Sequence, residues 1–450
     1  MSFDVAAPAV ALIVFTFFAR LQQGSWFAPG AFNALYFSFI VGMTVLLGDY
    51  KLWPWALWWM FFGVVLFYLG NLAGEGYAAS DEKKTRPPEE LRHRWLHVAI
   101  PTSAALGISQ IFLLHSYLMV APTFDDIYLP PKQYTVLFTF MHLAPILGGM
   151  YFALESSRFR RSMALLSVAP HFLSAIVFSG RSGIVNVLAL FFAGYFSLRV
   201  LFERGKVRLF TWRLILLAAV MGLVIYRLAF FITMFRLENT YSMPFADIFD
   251  VYQRAFYASA EKQEDIWEGF RHAYTGGVAA FSVWLEWRWY QPGEASWGYE
   301  LISGTYELLG WRTRGAGLDL VEVEPGVYSN VLTRYGQLAH AFGIYGSQVW
   351  IFVVGLAVGW VYRRLKEGSI LGIPIMVIFY NDVLAGGYAF NYNSMNLAYF
   401  LTAVYVILWN WSLQSQGRPA EASEGPRQVP ALLQPRAPLP GLPRHGQAPR

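Results

Sequence analysis

Trp53–Leu72 reads WPWALWWMFFGVVLFYLGNL, a run without one charged residue, and it is followed by Lys83, Lys84, Arg86, Arg92 and Arg94. At 1.5 Å per residue such a run covers ~30 Å, the thickness of a bilayer's hydrocarbon core. The same alternation of apolar run and short charged hinge recurs along the chain. It predicts about eleven membrane helices, near 5–19, 31–47, 53–72, 96–120, 134–154, 163–178, 183–202, 213–235, 344–362, 370–384 and 395–413. The expected fold is therefore an all-α polytopic membrane protein with one long, partly helical loop on its outer face.

Composition agrees. Of 450 residues, 56% are hydrophobic and 14% charged, against roughly 25% charged in soluble globular chains. The net charge of +5 does not point to nucleic acid, because the basic residues sit in short clusters between apolar spans. Four clusters fall on alternate hinges and hence on one face: Lys83–Arg94; Arg158, Arg160 and Arg161; Arg204, Lys206 and Arg208; Arg363, Arg364 and Lys366. The positive-inside rule makes that face cytoplasmic. The absence of cysteine excludes disulfides, thiolate metal sites and a cysteine nucleophile. The first apolar run lacks a basic leader and a small-residue cleavage site, so it reads as a retained helix.

This divides the chain into 1–235, about eight helices; 236–343, a periplasmic loop domain; 344–413, about three helices; and 414–450, a Pro-, Arg- and Gln-rich tail expected to be disordered on the cytoplasmic side. The loop is too aromatic for a linker and is expected to fold as a cap.

Several residues carry candidate chemistry. Ser179–Gly180–Arg181–Ser182–Gly183 places an arginine between glycines beside hydrocarbon, where charge is costly. It reads as a phosphate site or as a turn arginine at headgroup level. Arg227 lies inside a span, and Arg236 ends it. Asp382 is the evident intramembrane acid, so Arg227 either pairs with it or lines a lipid-phosphate cavity. The most distinctive stretch is Tyr328–Gly336, YSNVLTRYG, followed by His340–Gly346, HAFGIYG, and a helix carrying Gly355, Gly359, Arg363 and Arg364. It puts Arg334 and Tyr335 at the outer mouth of a helix whose small residues allow close packing. His340 reads as a base or as a satisfied interfacial residue.

In the loop, Arg254, Arg271, Arg312 and Arg314 are phosphate or sugar ligands or plain solvated charges. Glu261, Glu264, Asp265 and Glu268 have the spacing of a solvated helix face. Trp284, Trp287, Trp289 and Trp297 stack on sugar rings or form the interfacial aromatic belt. Asp125–Asp126 is a paired outer-face acid that a metal-assisted transferase would use.

The Gly-Arg-Ser turn combined with the downstream Ser-Asn-Val…Arg-Tyr…Phe-Gly-Ile-Tyr-Gly…Arg-Arg stretch resembles the Wzy-type O-antigen and oligosaccharide repeat unit polymerases. The resemblance covers most of the chain in architecture, and in sequence only the motif stretches. It implies a polytopic glycosyltransferase fold shared with O-antigen ligases, in a bacterial inner membrane. It also implies an inverting glycosyl transfer without metal or cofactor between two undecaprenyl-pyrophosphate-linked chains, donor and acceptor. A chain-length-regulating co-polymerase is the implied partner, alongside membrane lipid. On that reading His340, Arg334 and Tyr335 are catalytic. Arg181, Arg227, Arg236, Arg254, Arg271 and Arg334 bind pyrophosphate, and Trp284, Trp287 and Trp289 bind sugar. One departure stands out: many members carry an aspartate just before Phe-Gly, where this chain has Ala341. An O-antigen ligase and a lipid-linked sugar transporter are the competing readings. A transporter is disfavoured because the sequence shows no matching halves and no helices interrupted at matching positions.

Overall fold

The computed structural model describes residues 3–48, 50–77, 91, 95–118, 132–177, 181–203, 261–290, 321–324, 327–329, 333–385 and 392–416. The helices are α1 Phe3–Gln23, α2 Pro29–Leu47, α3 Pro54–Tyr77, α4 Leu96–Leu118, α5 Lys132–Leu154, α6 Arg158–Ala164, α7 Ala169–Val177, α8 Arg181–Glu203, α9 Glu261–Tyr290, α10 Arg334–Lys366, α11 Ile373–Ala385 and α12 Tyr392–Gln416. One antiparallel hairpin, Val321–Glu324 with Val327–Ser329, precedes α10.

Seven of the described helices are long and apolar enough to cross a membrane, and the chain is a membrane-embedded protein. Their outward residues agree with this. Val10, Val14, Phe17 and Leu21 on α1, and Val349, Val353, Leu356 and Trp360 on α10, are exposed at helical spacing. Such apolar stripes are tolerated where the surroundings are lipid. The expected span 213–235 and most of the loop 236–343 lie outside the described residues.

The most closely packed pair of described helices is α3 and α10. Gly70 and Gly74 on α3 face Gly355 and Gly359 on α10, and a Cβ at any of the four would lie 2.0–2.3 Å from a backbone carbonyl oxygen of the other helix. Glycine is what lets two backbones touch in this way. The contacts climb together along both helices, from Trp59 beside Gln348 to Glu75 beside Lys366, so the two run parallel. At that end Gln23 Nε2 also donates to Glu75 Oε1 at 3.1 Å, and Lys366 Nζ donates to Glu75 Oε2 at 2.7 Å. The C-terminal ends of α1, α3 and α10 therefore share one level, and Arg363 and Arg364 join them there.

Two sequence expectations change. The span expected at 163–178 is not one helix. A 3₁₀ segment, Leu165–Val168, separates α6 from α7, and the buried Ser167 seats there against Gly148 of α5. The span expected at 370–384 is matched by a 3₁₀ turn, Ile370–Gly372, running into α11. The boundary placed at Gly343 is really a break inside α10. Gly343 adopts φ 75° and ψ 168°, which glycine takes without a Cβ penalty.

Candidate functional site

The segment Arg334–Phe342, ahead of that break, is the unexpected element. Sequence analysis put Arg334 and Tyr335 at the outer mouth, yet both are buried, at 3% and 0% exposure. The Tyr335 ring packs against Gly63, nine residues into α3 or about 14 Å along its axis. Arg334 reaches Asn33, only four residues into α2 from the opposite end, about 6 Å. The chain thus enters the bundle, begins a helix near mid-depth, runs outward to Gly343, and turns into the long spanning helix. Thr333 caps this start: its Oγ1 accepts from Gly336 N–H at 3.4 Å and its carbonyl from Gln337 N–H at 3.0 Å.

Both terminal nitrogens of Arg334 are held. One terminal nitrogen donates to Asp382 Oδ2 at 2.7 Å, and the other donates to Asn33 Oδ1 at 2.8 Å. The guanidinium carbon lies 5.6 Å from the Phe37 ring centre, 5.7 Å from Phe67 and 5.2 Å from Tyr335. Asn33 Nδ2 donates in turn to the Tyr335 hydroxyl at 3.1 Å, and the Tyr335 ring stacks on Phe37 at 4.4 Å. Asp382 had been matched with Arg227, which lies outside the described residues. Its partner here is Arg334, from the other end of the motif.

Asp382 lies on α11, in the last described turn of that helix. The Tyr36 hydroxyl of α2 donates to Leu384 O at 2.7 Å, and the Tyr380 hydroxyl donates to Phe27 O at 2.6 Å. The start of α10 and the last described turn of α11 therefore meet beside α2. Asn33 links them, and sequence analysis missed it. The signal was available: Asn33 is the one amide in an otherwise apolar run, AFNALYFSFIVGM, and polar groups at such depth are rarely idle.

Toward the outer end of the same half-helix, His340 is half-buried and its ring lies 5.9 Å from Trp284. Trp284 belongs to α9, which packs across the start of α3. Trp53 N–H donates to Ser282 Oγ at 2.7 Å, and Tyr50 and Thr275 share a hydroxyl contact at 2.9 Å. Trp284 is itself 3% exposed, a core residue and not a surface platform. Trp287 and Trp289 are 46% and 44% exposed. Arg288 lies 4.6 Å over the Trp287 ring, and Trp289 sits between Trp53 at 5.8 Å and Tyr345 at 6.2 Å.

The other expected residues do not join this cluster among the described side chains. Arg181 opens α8 and Arg271 lies within α9, as do Glu261, Glu264, Asp265 and Glu268, but their side chains are outside the described set. Arg236, Arg254, Arg312, Arg314, Trp297 and Asp125–Asp126 lie outside the described residues. Among the described residues no group of three or more His, Asp or Glu side chains could hold a metal ion. Compared with protein-family models, curated proteins and solved structures, the chain matches none.

Proposed function

We propose that the chain is an integral-membrane glycosyltransferase of the bacterial inner membrane that polymerises undecaprenyl-pyrophosphate-linked oligosaccharide repeat units at its periplasmic face. The observation that supports this best is a convergence. The motif stretch carrying the resemblance forms a half-helix whose outer end brings His340 under an aromatic cap. That cap presents Trp287, Trp289, Tyr290 and Tyr345, the flat, partly exposed surfaces on which sugar rings stack.

In this reading His340 accepts the proton of the acceptor hydroxyl. The acceptor oxygen then bonds to the donor's anomeric carbon as that carbon's bond to pyrophosphate breaks. The leaving group departs as an anion, and cations rather than a metal neutralise it. Arg334 does not serve that purpose, because Asp382 and Asn33 already take its two terminal nitrogens. It holds the half-helix in place. The phosphate contact falls to Arg181, Arg227, Arg236, Arg254 and Arg271.

One specific observation favours a second reading, a transporter of lipid-linked sugar. A helix that begins at mid-depth beside a buried charged pair is a feature of substrate sites in secondary transporters. A single preparation separates the two. The purified chain is reconstituted in liposomes with a fluorescent lipid-linked repeat unit and excess EDTA. Glycosyl transfer gives a ladder of polymer on a gel. Transport gives altered leaflet accessibility of the label with no ladder. Unchanged monomer in an unchanged leaflet would remove both.

A further inference from the structure

On the arginine-rich side of the molecule, away from the aromatic cap, the structure holds a second feature that the proposed reaction does not use. A cavity of about 370 Å³ lies between the first turns of α4, the last turn of α5 and the short helix α6. Its polar end is made by His97, Tyr151 and Arg160, and its floor by Ile100, Pro101 and Leu166. The lining is thus divided between a head end and an apolar channel, as an amphiphile requires.

The charge at the head end is positive. Arg158, Arg160 and Arg161 fall within one turn of α6, and the nearest acid is already engaged. Glu155 Oε1 accepts from the backbone N–H groups of Ser156 and Ser157, at 2.9 and 3.0 Å, and its other oxygen accepts from the Tyr151 hydroxyl at 3.2 Å. Arg161 Nε donates to the Glu155 carbonyl oxygen, and its guanidinium lies over Phe152. Arg160 by contrast is 57% exposed and reaches Glu155 only at 3.7 Å. Beside it, Phe159 and Met163 are exposed at 73% and 46%, so α6 shows arginines and apolar groups together, as helices at a headgroup boundary do. The position on the chain agrees: His97 is the second residue of α4, and Tyr151 lies three residues from the end of α5.

We infer that this cavity binds an anionic phospholipid of the surrounding leaflet. The phosphate lies against Arg160 and His97, and one acyl chain runs along Ile100, Pro101 and Ala104. Basic pockets between helices at the bilayer surface favour anionic headgroups by charge, and the apolar floor selects a lipid over free phosphate.

Native mass spectrometry of the detergent-solubilised chain with added phosphatidylglycerol or phosphatidylcholine tests this without any enzymatic assay. Phosphatidylglycerol is expected to bind at least about tenfold more tightly, and Arg160→Gln to remove about tenfold of that affinity. Ala104→Trp fills the channel and is expected to abolish binding while leaving the size-exclusion profile unchanged. Arg364→Gln, on the same side but at the end of α10, is expected to leave binding as it was. Equal binding of the two lipids, or a preference that survives both Arg160→Gln and Ala104→Trp, would overturn the site. Displacement of the lipid by millimolar inorganic phosphate would overturn the lipid assignment in favour of free phosphate.

Discussion

Adding one methyl group at Gly355 should loosen the packing of α3 against α10. A Cβ there would lie 2.3 Å from Phe67 O, and at Gly74 it would lie 2.0 Å from Leu356 O. Both obstacles are backbone, so no rotamer change relieves them, and α3 and α10 must separate by roughly 1 Å. A gap of that size forfeits a quarter to a half of each van der Waals well. Taking on the order of 50 atom pairs at ~0.15 kcal/mol each, a loss of one third is about 2.5 kcal/mol. Replacing a helical glycine by alanine returns ~0.5–1 kcal/mol, which leaves a net loss of about 2 kcal/mol. Gly42 on α2 and Gly276 on α9 are controls, since a Cβ at either meets nothing within 4 Å. Thermal stability of a fluorescent-protein fusion, read by size exclusion in detergent, should fall for Gly355→Ala and Gly74→Ala. It should stay level or rise for Gly42→Ala and Gly276→Ala. If Gly355→Ala melts with the parent, or Gly42→Ala falls as far, the parallel close approach of α3 and α10 is wrong.

Arg334→Leu and Asp382→Leu should each cost about 3–5 kcal/mol by stranding a buried charge, while the double variant should recover much of that loss. Strictly additive losses in the same thermal assay would mean the two residues are not paired. Burial alone would raise the Glu155 carboxyl, but the Ser157 N–H, the Tyr151 hydroxyl, the Ser156 N–H and the Arg160 charge outweigh it and hold it below its usual value. The stabilisation this carries is complete above the unfolded carboxylate value of about 4.3 and is lost as pH falls through the lower folded value. Glu155→Gln should therefore lower the melting temperature at pH 7 and show a flatter acid limb; melting curves parallel to the parent from pH 7 to 3 would remove this role. His340→Gln should reduce ladder formation by about 10²–10⁴-fold without moving the melting temperature, and wild-type ladders from that variant would place the base elsewhere.

Most of the spans were legible because apolar length is a direct consequence of bilayer thickness, as in Trp53–Leu72. The small-residue face of α10 was equally visible in GLAVG, 355–359, although its counterpart GNLAG, 70–74, acquires meaning only from the parallel pairing. What hydropathy does not encode is where along a membrane normal a helix begins. Arg334, in YSNVLTRYG, reads as polar and hence interfacial. It is buried because Asp382 and Asn33, distant in sequence, form its polar surroundings. The same limit explains why Asp382 was assigned to Arg227: within apolar spans, charge complementarity narrows the partners but does not choose between two arginines. The 3₁₀ segment between α6 and α7 was obscured because Met163–Phe178 is apolar enough overall to pass as one span. Trp284 was misjudged for a related reason, since composition does not separate a tryptophan at a membrane surface from one packed under it.

The arrangement at Arg334 also bears on why the chain keeps charge at this depth. A helix that starts inside the bundle leaves up to four N–H groups without intrahelical partners, where no water can satisfy them. Thr333 covers Gly336 N–H and Gln337 N–H, and the positive end of the helix dipole remains. A guanidinium at that same end adds a second positive charge, which a helix N-terminus disfavours. Asp382 answers both, because its carboxylate lies against Arg334 at the start of that helix. Well-packed apolar residues in place of the pair would often be as stable or more so. Stability alone therefore gives no reason to retain Arg334, Asp382 and Asn33. Their retention is explained if α10 must begin at mid-depth, since only that start turns His340 outward beneath Trp284 and leaves Gly343 to redirect the chain.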